Sequence, residues 1–172
     1  MKDLSLHILD IAQNSIRAGA TLIVISLQRQ EGILDLLVQD NGFGMAQDFL
    51  QQVTDPFTTT RTTRRVGLGL PLLKMAAEQT GGTFAIESAL GEGTSLHVRF
   101  IEGHIDTPPV GWMSDTMVTL IQGAPDIDFV YRDNAFELDT RALREVLEDV
   151  PLNTPEALLW IAEHILEHTG NT

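Results

Sequence analysis

Three groups of residues have the types and spacing to do chemistry. The first is Asp40-Asn-Gly-Phe-Gly-Met45, which follows the apolar run Ile33 to Val38. That run reads as a buried strand, so the acid and the two glycines fall where a strand ends and the chain turns. Gly42 and Gly44 accept positive φ and let backbone approach a bound molecule with no Cβ in the way. A carboxylate at such a turn can accept a hydrogen bond from an exocyclic amine, the contact that reads an adenine ring rather than a phosphate. Asp-Asn-Gly is also an ordinary turn sequence, so this stretch needs support from elsewhere.

The second group is Asp10 and Asn14, on a segment from Leu4 to Ala18 whose Leu4, Ile8, Ile11, Ser15 and Ala18 fall on one helical stripe. Residues four apart are stacked neighbours on a helix. A carboxylate there could orient a water towards a γ-phosphate, and a neutral amide oxygen could ligate Mg²⁺ without adding a second charge. The third group is Arg61, Arg64 and Arg65 in a loop rich in threonine, running into Gly67-Leu-Gly69 at the start of a helix. Helix-terminal N–H groups favour anions and arginine matches phosphate oxygens in pairs, so two independent effects make this a phosphate site. Neither glycine pair is a dinucleotide fingerprint, and no lysine completes a Walker loop.

Taken together, Asp10 to Ala20, Asp40 to Met45, Asp55-Pro-Phe-Thr-Thr-Thr through Gly69, and Gly91-Glu-Gly93-Thr94 resemble, in order and separation, the boxes of the GHKL superfamily. That superfamily includes gyrase, MutL, ATP-dependent heat-shock chaperones, sensor histidine kinases and anti-sigma-factor serine kinases. The resemblance covers residues 4 to 101 and implies a Bergerat-type α/β sandwich, helices on one face of a mixed sheet, binding ATP with Mg²⁺. It implies Asp40 as the adenine reader, with Gly42, Gly44 and Thr94 in the nucleotide site and Asn14 as the metal ligand. Asp10 stands where the superfamily's hydrolysing branches carry a Glu, and is the expected catalytic base. The arginine loop corresponds to the ATP lid, with Arg61, Arg64, Gly67 and Gly69 around the phosphates. The expected function is phosphoryl transfer to a Ser or His on a separate protein in bacterial signalling. The alternatives are an ATP-hydrolysing switch and a nucleotide-binding pseudo-enzyme.

Composition bounds the remaining classes. The chain has 172 residues, a net charge of −13 and no cysteine, which excludes a disulfide framework and thiolate zinc sites. No apolar run reaches the roughly eighteen residues of a membrane span, and the first residues lack a charged segment followed by an apolar one. A cytoplasmic protein is the expectation. Residues 1–101 hold 10 acids and 8 bases, net −2, whereas residues 102–172 hold 14 acids and 3 bases, net −11. Such an acidic stretch repels phosphate backbones and anionic lipid, so the expected partner is a protein, with a homodimer allowed and neither nucleic acid nor membrane favoured.

The elements that must position these groups follow from periodicity. Strands are expected over Thr21 to Gln28 and Ile33 to Val38, a short helix over Ala46 to Val53, a helix over Leu68 to Thr80, and a hairpin of Thr83 to Ser88 with Thr94 to Phe100. From residue 102 the resemblance ends, and the chain reads as a small acidic α+β extension docked on the nucleotide domain. His104 to Ser114 reads as a linker, Asp126 to Leu138 as a hairpin, and Thr140 to Leu147 and Thr154 to His168 as helices, each opened by a capping threonine.

Two features compete with this reading. His7 is followed by Ile8 rather than an acid, so it is read as an ordinary histidine and not a phospho-acceptor. His164-Ile-Leu-Glu167-His168 matches the inverted zinc-protease motif, but that site needs a third ligand further along the chain and four residues follow His168; a solvated histidine pair is expected.

Overall fold

Ile23, Ile25 and Leu27 alternate with Val24, Ser26 and Gln28, and a period of two sends one set to each face of a strand. The same alternation recurs along the neighbouring strands and builds a sheet with one apolar face. The computed structural model describes residues 2–55 and 69–169. Along them run α1 (Leu4–Arg17), β1 (Leu22–Gln30), β2 (Ile33–Asp40), α2 (Gln47–Thr54), α3 (Gly69–Gln79), β3 (Thr83–Ala89), β4 (Gly93–Ile101), α4 (Met113–Gly123), β5 (Asp128–Asp133), β6 (Phe136–Asp139), α5 (Thr140–Leu147) and α6 (Pro155–Thr169).

The six strands form one sheet in the order β3-β4-β2-β1-β5-β6. Every neighbouring pair is antiparallel except β1 with β5, so the sheet is mixed. Its covered face presents Ile23, Ile25, Leu27, Leu36, Val98 and Tyr131, all fully buried. Against it lie the apolar stripes of the helices: Leu4 and Ile8 of α1, Leu73 of α3, Met117 of α4, Ile161 of α6. The opposite face is polar in its middle, where Asp35 accepts from Arg99 at 2.8 Å and meets His97 at 2.9 Å. This is the α/β sandwich anticipated above. No helix among the described residues is long and apolar enough to cross a membrane.

Residues beyond 101 enter this architecture more deeply than a docked module. β5 pairs with β1 from Leu22↔Asp128 to Leu27↔Asp133, and β6 then closes the edge against β5. One core contains Leu4, Ile25 and Phe100 together with Met117, Phe129 and Ile165. The expected linker is anchored too: Leu4 N–H donates to the Pro109 carbonyl at 2.9 Å and Ser5 N–H to that of Val110 at 2.8 Å.

Helix α4 has no counterpart in the sequence reading. It carries Thr116, Val118, Thr119 and Ile121, whose branched Cβ atoms weaken helix propensity, and no side chain among the described residues caps its start. Packing against α1 and α6 holds it. Of the two capping threonines, Thr154 accepts from Ala157 N–H at 3.3 Å. At α5 the cap is Asp139, accepting from Arg141 N–H at 2.9 Å, because Thr140 Oγ1 is engaged by Phe129 N–H at 2.8 Å.

Candidate functional site

The register places Asp40 directly opposite Thr94, and Thr94 opposite Ser88. Asp40 shares its face of β2 with Val38 and Leu36, so three polar residues form a row along the end of an otherwise apolar surface. Each is held. Ser15 of α1 donates to Asp40 Oδ2 at 2.6 Å and Gly42 N–H donates to Asp40 Oδ1 at 2.9 Å. Ser88 Oγ and Thr94 Oγ1 lie 2.8 Å apart, Ser88 donates to the Gly93 carbonyl at 3.0 Å, and Met45 N–H donates to Ser88 at 2.8 Å. Two donors fix the carboxylate's orientation while each oxygen keeps a second lone pair for an incoming donor.

The loop after Asp40 is wedged between the end of α1 and the β3–β4 turn. Phe43 N–H donates to the Ala18 carbonyl at 2.8 Å, and Gly91 N–H donates to the Phe43 carbonyl at 2.7 Å. A Cβ on Gly42 would stand 2.8 Å from the Ala18 oxygen. At Gly44, whose φ is +72°, it would stand 1.9 Å from the Ala89 oxygen. Close approach by the chain's own backbone therefore already requires both glycines. Asn41 ties the same turn to β1, accepting from Thr21 N–H at 2.8 Å and Leu22 N–H at 3.0 Å.

Beside the polar row opens a cavity of about 430 Å³. Its walls include Val38, Ile86 and Leu96 from the sheet and Ile11 from α1, with Asp40, Thr94, Asn14 and Ser15 supplying the polar groups. Ser15 and Ser88 were not singled out in the sequence. Ser15 sits on the buried stripe of α1, and a hydroxyl there must find a partner; that requirement was the available signal. Ser88 gave none beyond an ordinary strand serine.

Asn14 lines the cavity, and its amide oxygen accepts from Arg17 at 2.8 Å. Asp10, one turn earlier on α1, is not among the described lining residues; its carboxylate pairs with Lys2, and its Cβ would be 3.7 Å from a Cβ built on Gly69. Asp10 thus adjoins the start of α3. Arg61, Arg64, Arg65 and Gly67 lie outside the described residues. His7 is 5 % exposed, and its Nδ1 is buried without a hydrogen-bond partner among the described residues. Burial, reinforced by Lys2 and opposed by Asp10, holds its imidazole below the ordinary value of 6.5.

The stretch that supplies Asp40, Thr94 and Asn14 to this cavity is also the stretch that sequence comparison matches. Residues 2–103 match the model of the family described as histidine kinase-, DNA gyrase B-, and HSP90-like ATPase. The chain belongs to that family.

Among curated proteins, the chain is 40 % identical over 82 residues to an uncharacterized sensor-like histidine kinase of Rhizobium meliloti, 45 % of this chain and 16 % of that one. It is 32 % identical over 81 residues to the histidine protein kinase DivJ of Caulobacter vibrioides, 45 % of this chain and 14 % of that one. It is 37 % identical over 82 residues to the sensor protein SrrB of Staphylococcus aureus, again 45 % of this chain and 14 % of that one. The chain thus spans only 14–16 % of the length of these relatives.

The residues present fit the family's nucleotide. A cavity walled by Ile11, Val38, Ile86 and Leu96, with one oriented carboxylate, suits a purine bearing an exocyclic amine. Asn14 supplies a neutral oxygen on the cavity wall, the hard donor that Mg²⁺ takes alongside phosphate oxygens, provided that Arg17 releases it.

Proposed function

We propose that this chain binds Mg²⁺-ATP and transfers the γ-phosphate to a serine or histidine on a separate protein, in bacterial signalling in the cytoplasm. The observation that carries the reading is the Asp40 carboxylate, held by Ser15 and Gly42 N–H at the mouth of the apolar cavity. The names of two of these relatives, a sensor-like histidine kinase and a histidine protein kinase, support the kinase class.

Asp40 reads the adenine amine, and Thr94, tethered to Ser88, supports the ring edge. Gly42 and Gly44 shape the loop beneath it, Asn14 ligates Mg²⁺, and Arg61, Arg64, Gly67 and Gly69 meet the phosphates. Transfer forms a bond from the acceptor to the γ-phosphorus as the bond to the bridging oxygen breaks, and ADP leaves. With a serine acceptor the hydroxyl proton goes to Asp10; a histidine nitrogen already carries its lone pair.

A second reading, an ATP-hydrolysing switch, is favoured by one observation. Asp10 is paired with Lys2 outside the cavity wall, which suits a base engaged only when a partner rearranges this end of α1. The acidic stretch of residues 102–172 suits a basic surface on that partner.

The test is incubation with γ-labelled ATP and lysate. Label passing to a protein supports the kinase, and label released only as phosphate supports the switch. Asp10→Asn is expected to keep ATP affinity and slow turnover by about 10²–10⁴, the usual worth of a positioned base. Wild-type turnover in that variant would remove Asp10 from the chemistry.

A further inference from the structure

The last turns of α6 carry a set of groups that the nucleotide reading does not use. His164, Glu167 and His168 each offer one ligand atom, and these atoms lie within 4.8 Å of one another. Steps of three and four residues put all three on one face of the helix. We propose that they bind a divalent cation of the zinc type, with water completing the coordination.

The imidazoles are prepared for this. His168 Nδ1 lies 2.8 Å from the His164 carbonyl oxygen. A carbonyl oxygen can only accept, so Nδ1 carries the proton and Nε2 keeps the lone pair a metal requires. The ring of His168 stacks on Phe136 of β6 at 5.2 Å and 24°, and that of His164 stacks on Trp160 at 4.6 Å and 15°. Two aromatic faces therefore restrict both rings, which lowers the entropy lost on ligation. Ligands of a tetrahedral ion at about 2.1 Å stand roughly 3.4 Å apart, so the three groups need to close by no more than about 1.4 Å.

The field around them is also favourable. α6 is 15 residues long and ends at Thr169, so the three groups sit over its carbonyl terminus, the negative end of the helix dipole. They lie within the stretch whose net charge is −11. Two imidazoles and one carboxylate select Zn²⁺, Ni²⁺ or Cu²⁺ over Mg²⁺ and Ca²⁺, which prefer all-oxygen sets. The site is thus distinct in both place and preference from the Mg²⁺ expected at Asn14.

The test is a calorimetric titration of the full chain with Zn²⁺ in the absence of nucleotide, repeated with Co²⁺ and read by its visible spectrum. The expected result is saturable binding of a single cation per chain. His164→Ala and His168→Ala should each weaken it at least about tenfold, while His97→Ala and His104→Ala leave it unchanged. Glu167→Gln keeps the side chain's shape and both ring stacks, so weaker binding by that variant at an unchanged metal-free melting temperature separates ligation from folding. Affinity for Mg²⁺-ATP should be unchanged by His168→Ala. Zinc binding that is equally tight in the His164, His168 and Glu167 variants, or no saturable binding by the wild type, overturns the proposal and leaves the ATP reading untouched.

Discussion

The same face of the same sheet carries two hydroxyl–carboxylate pairs, and they do different things. At the end of β2, Ser15 donates to Asp40 at 2.6 Å beside an open cavity. On β5, Tyr131 donates to Asp133 at 3.2 Å, with Tyr131 fully buried and Asp133 8 % exposed. Arg29 reaches that second carboxylate at 3.5 Å. Burial, with Asp133 beside it, pushes the Tyr131 phenol far above the ordinary tyrosine value. The bond type is common to both; the unfilled volume next to one of them is not. Asp40 retains lone pairs that face space for a ligand, whereas Asp133 is enclosed by its own side-chain partners and serves the fold.

The comparison can be broken by exchanging the expected consequences. Tyr131→Ala should cost about 3–5 kcal/mol of stability, as loss of a buried aromatic does, read by denaturant midpoint. Its affinity for ATP should be unchanged under conditions where the variant is folded. Asp40→Asn should do the reverse. The amide retains an oxygen for Gly42 N–H, and the Ser15 hydroxyl can turn to accept from its NH₂, so the melting temperature should hardly move. Affinity for ATP, measured by calorimetry, should fall roughly ten- to a hundred-fold, the worth of about 1.5–3 kcal/mol for a charged hydrogen bond. Equal melting losses in the two variants would abolish the distinction.

His7 provides the smallest effect and sharpens the contrast from within α1. Its folded-state value is depressed, so the unfolded chain binds the proton more readily. Stability contributed by neutral His7 is therefore present above the ordinary value of 6.5 and is lost as pH falls below it. His7→Gln should flatten that part of the acid limb in a chemical-denaturation series across pH. An unchanged slope would show that His7 accommodates its proton in the fold.

Local pattern made much of this legible. The stripe of α1, the two hairpins β1–β2 and β3–β4, and the Asp40 turn all announce themselves within a dozen residues, and Asn14 and Thr94 reach the same cavity. What stayed hidden is non-local. No short-range signal pairs Leu22 with Asp128, because a parallel neighbour is joined through a long connection. α4 is hidden for a different reason: its branched residues argue against the helix that α1 and α6 impose on it. Gly42 and Gly44 were read as room for a ligand, whereas the Ala18 and Ala89 carbonyls already account for them. Ser15 was counted among apolar stripe residues, and its role emerges only when Asp40 arrives opposite it.

The β1–β5 ladder also fixes what can be moved as a unit. The family match ends at residue 103, but β1 is paired along Leu22 to Leu27 by residues 128–133. A fragment cut at the match boundary would leave β1 as the bare edge of a four-stranded sheet, an invitation to pair with another chain. The portable piece, for fusion or for grafting into another protein, is therefore longer than the recognisable one, and must take its acidic segment with it.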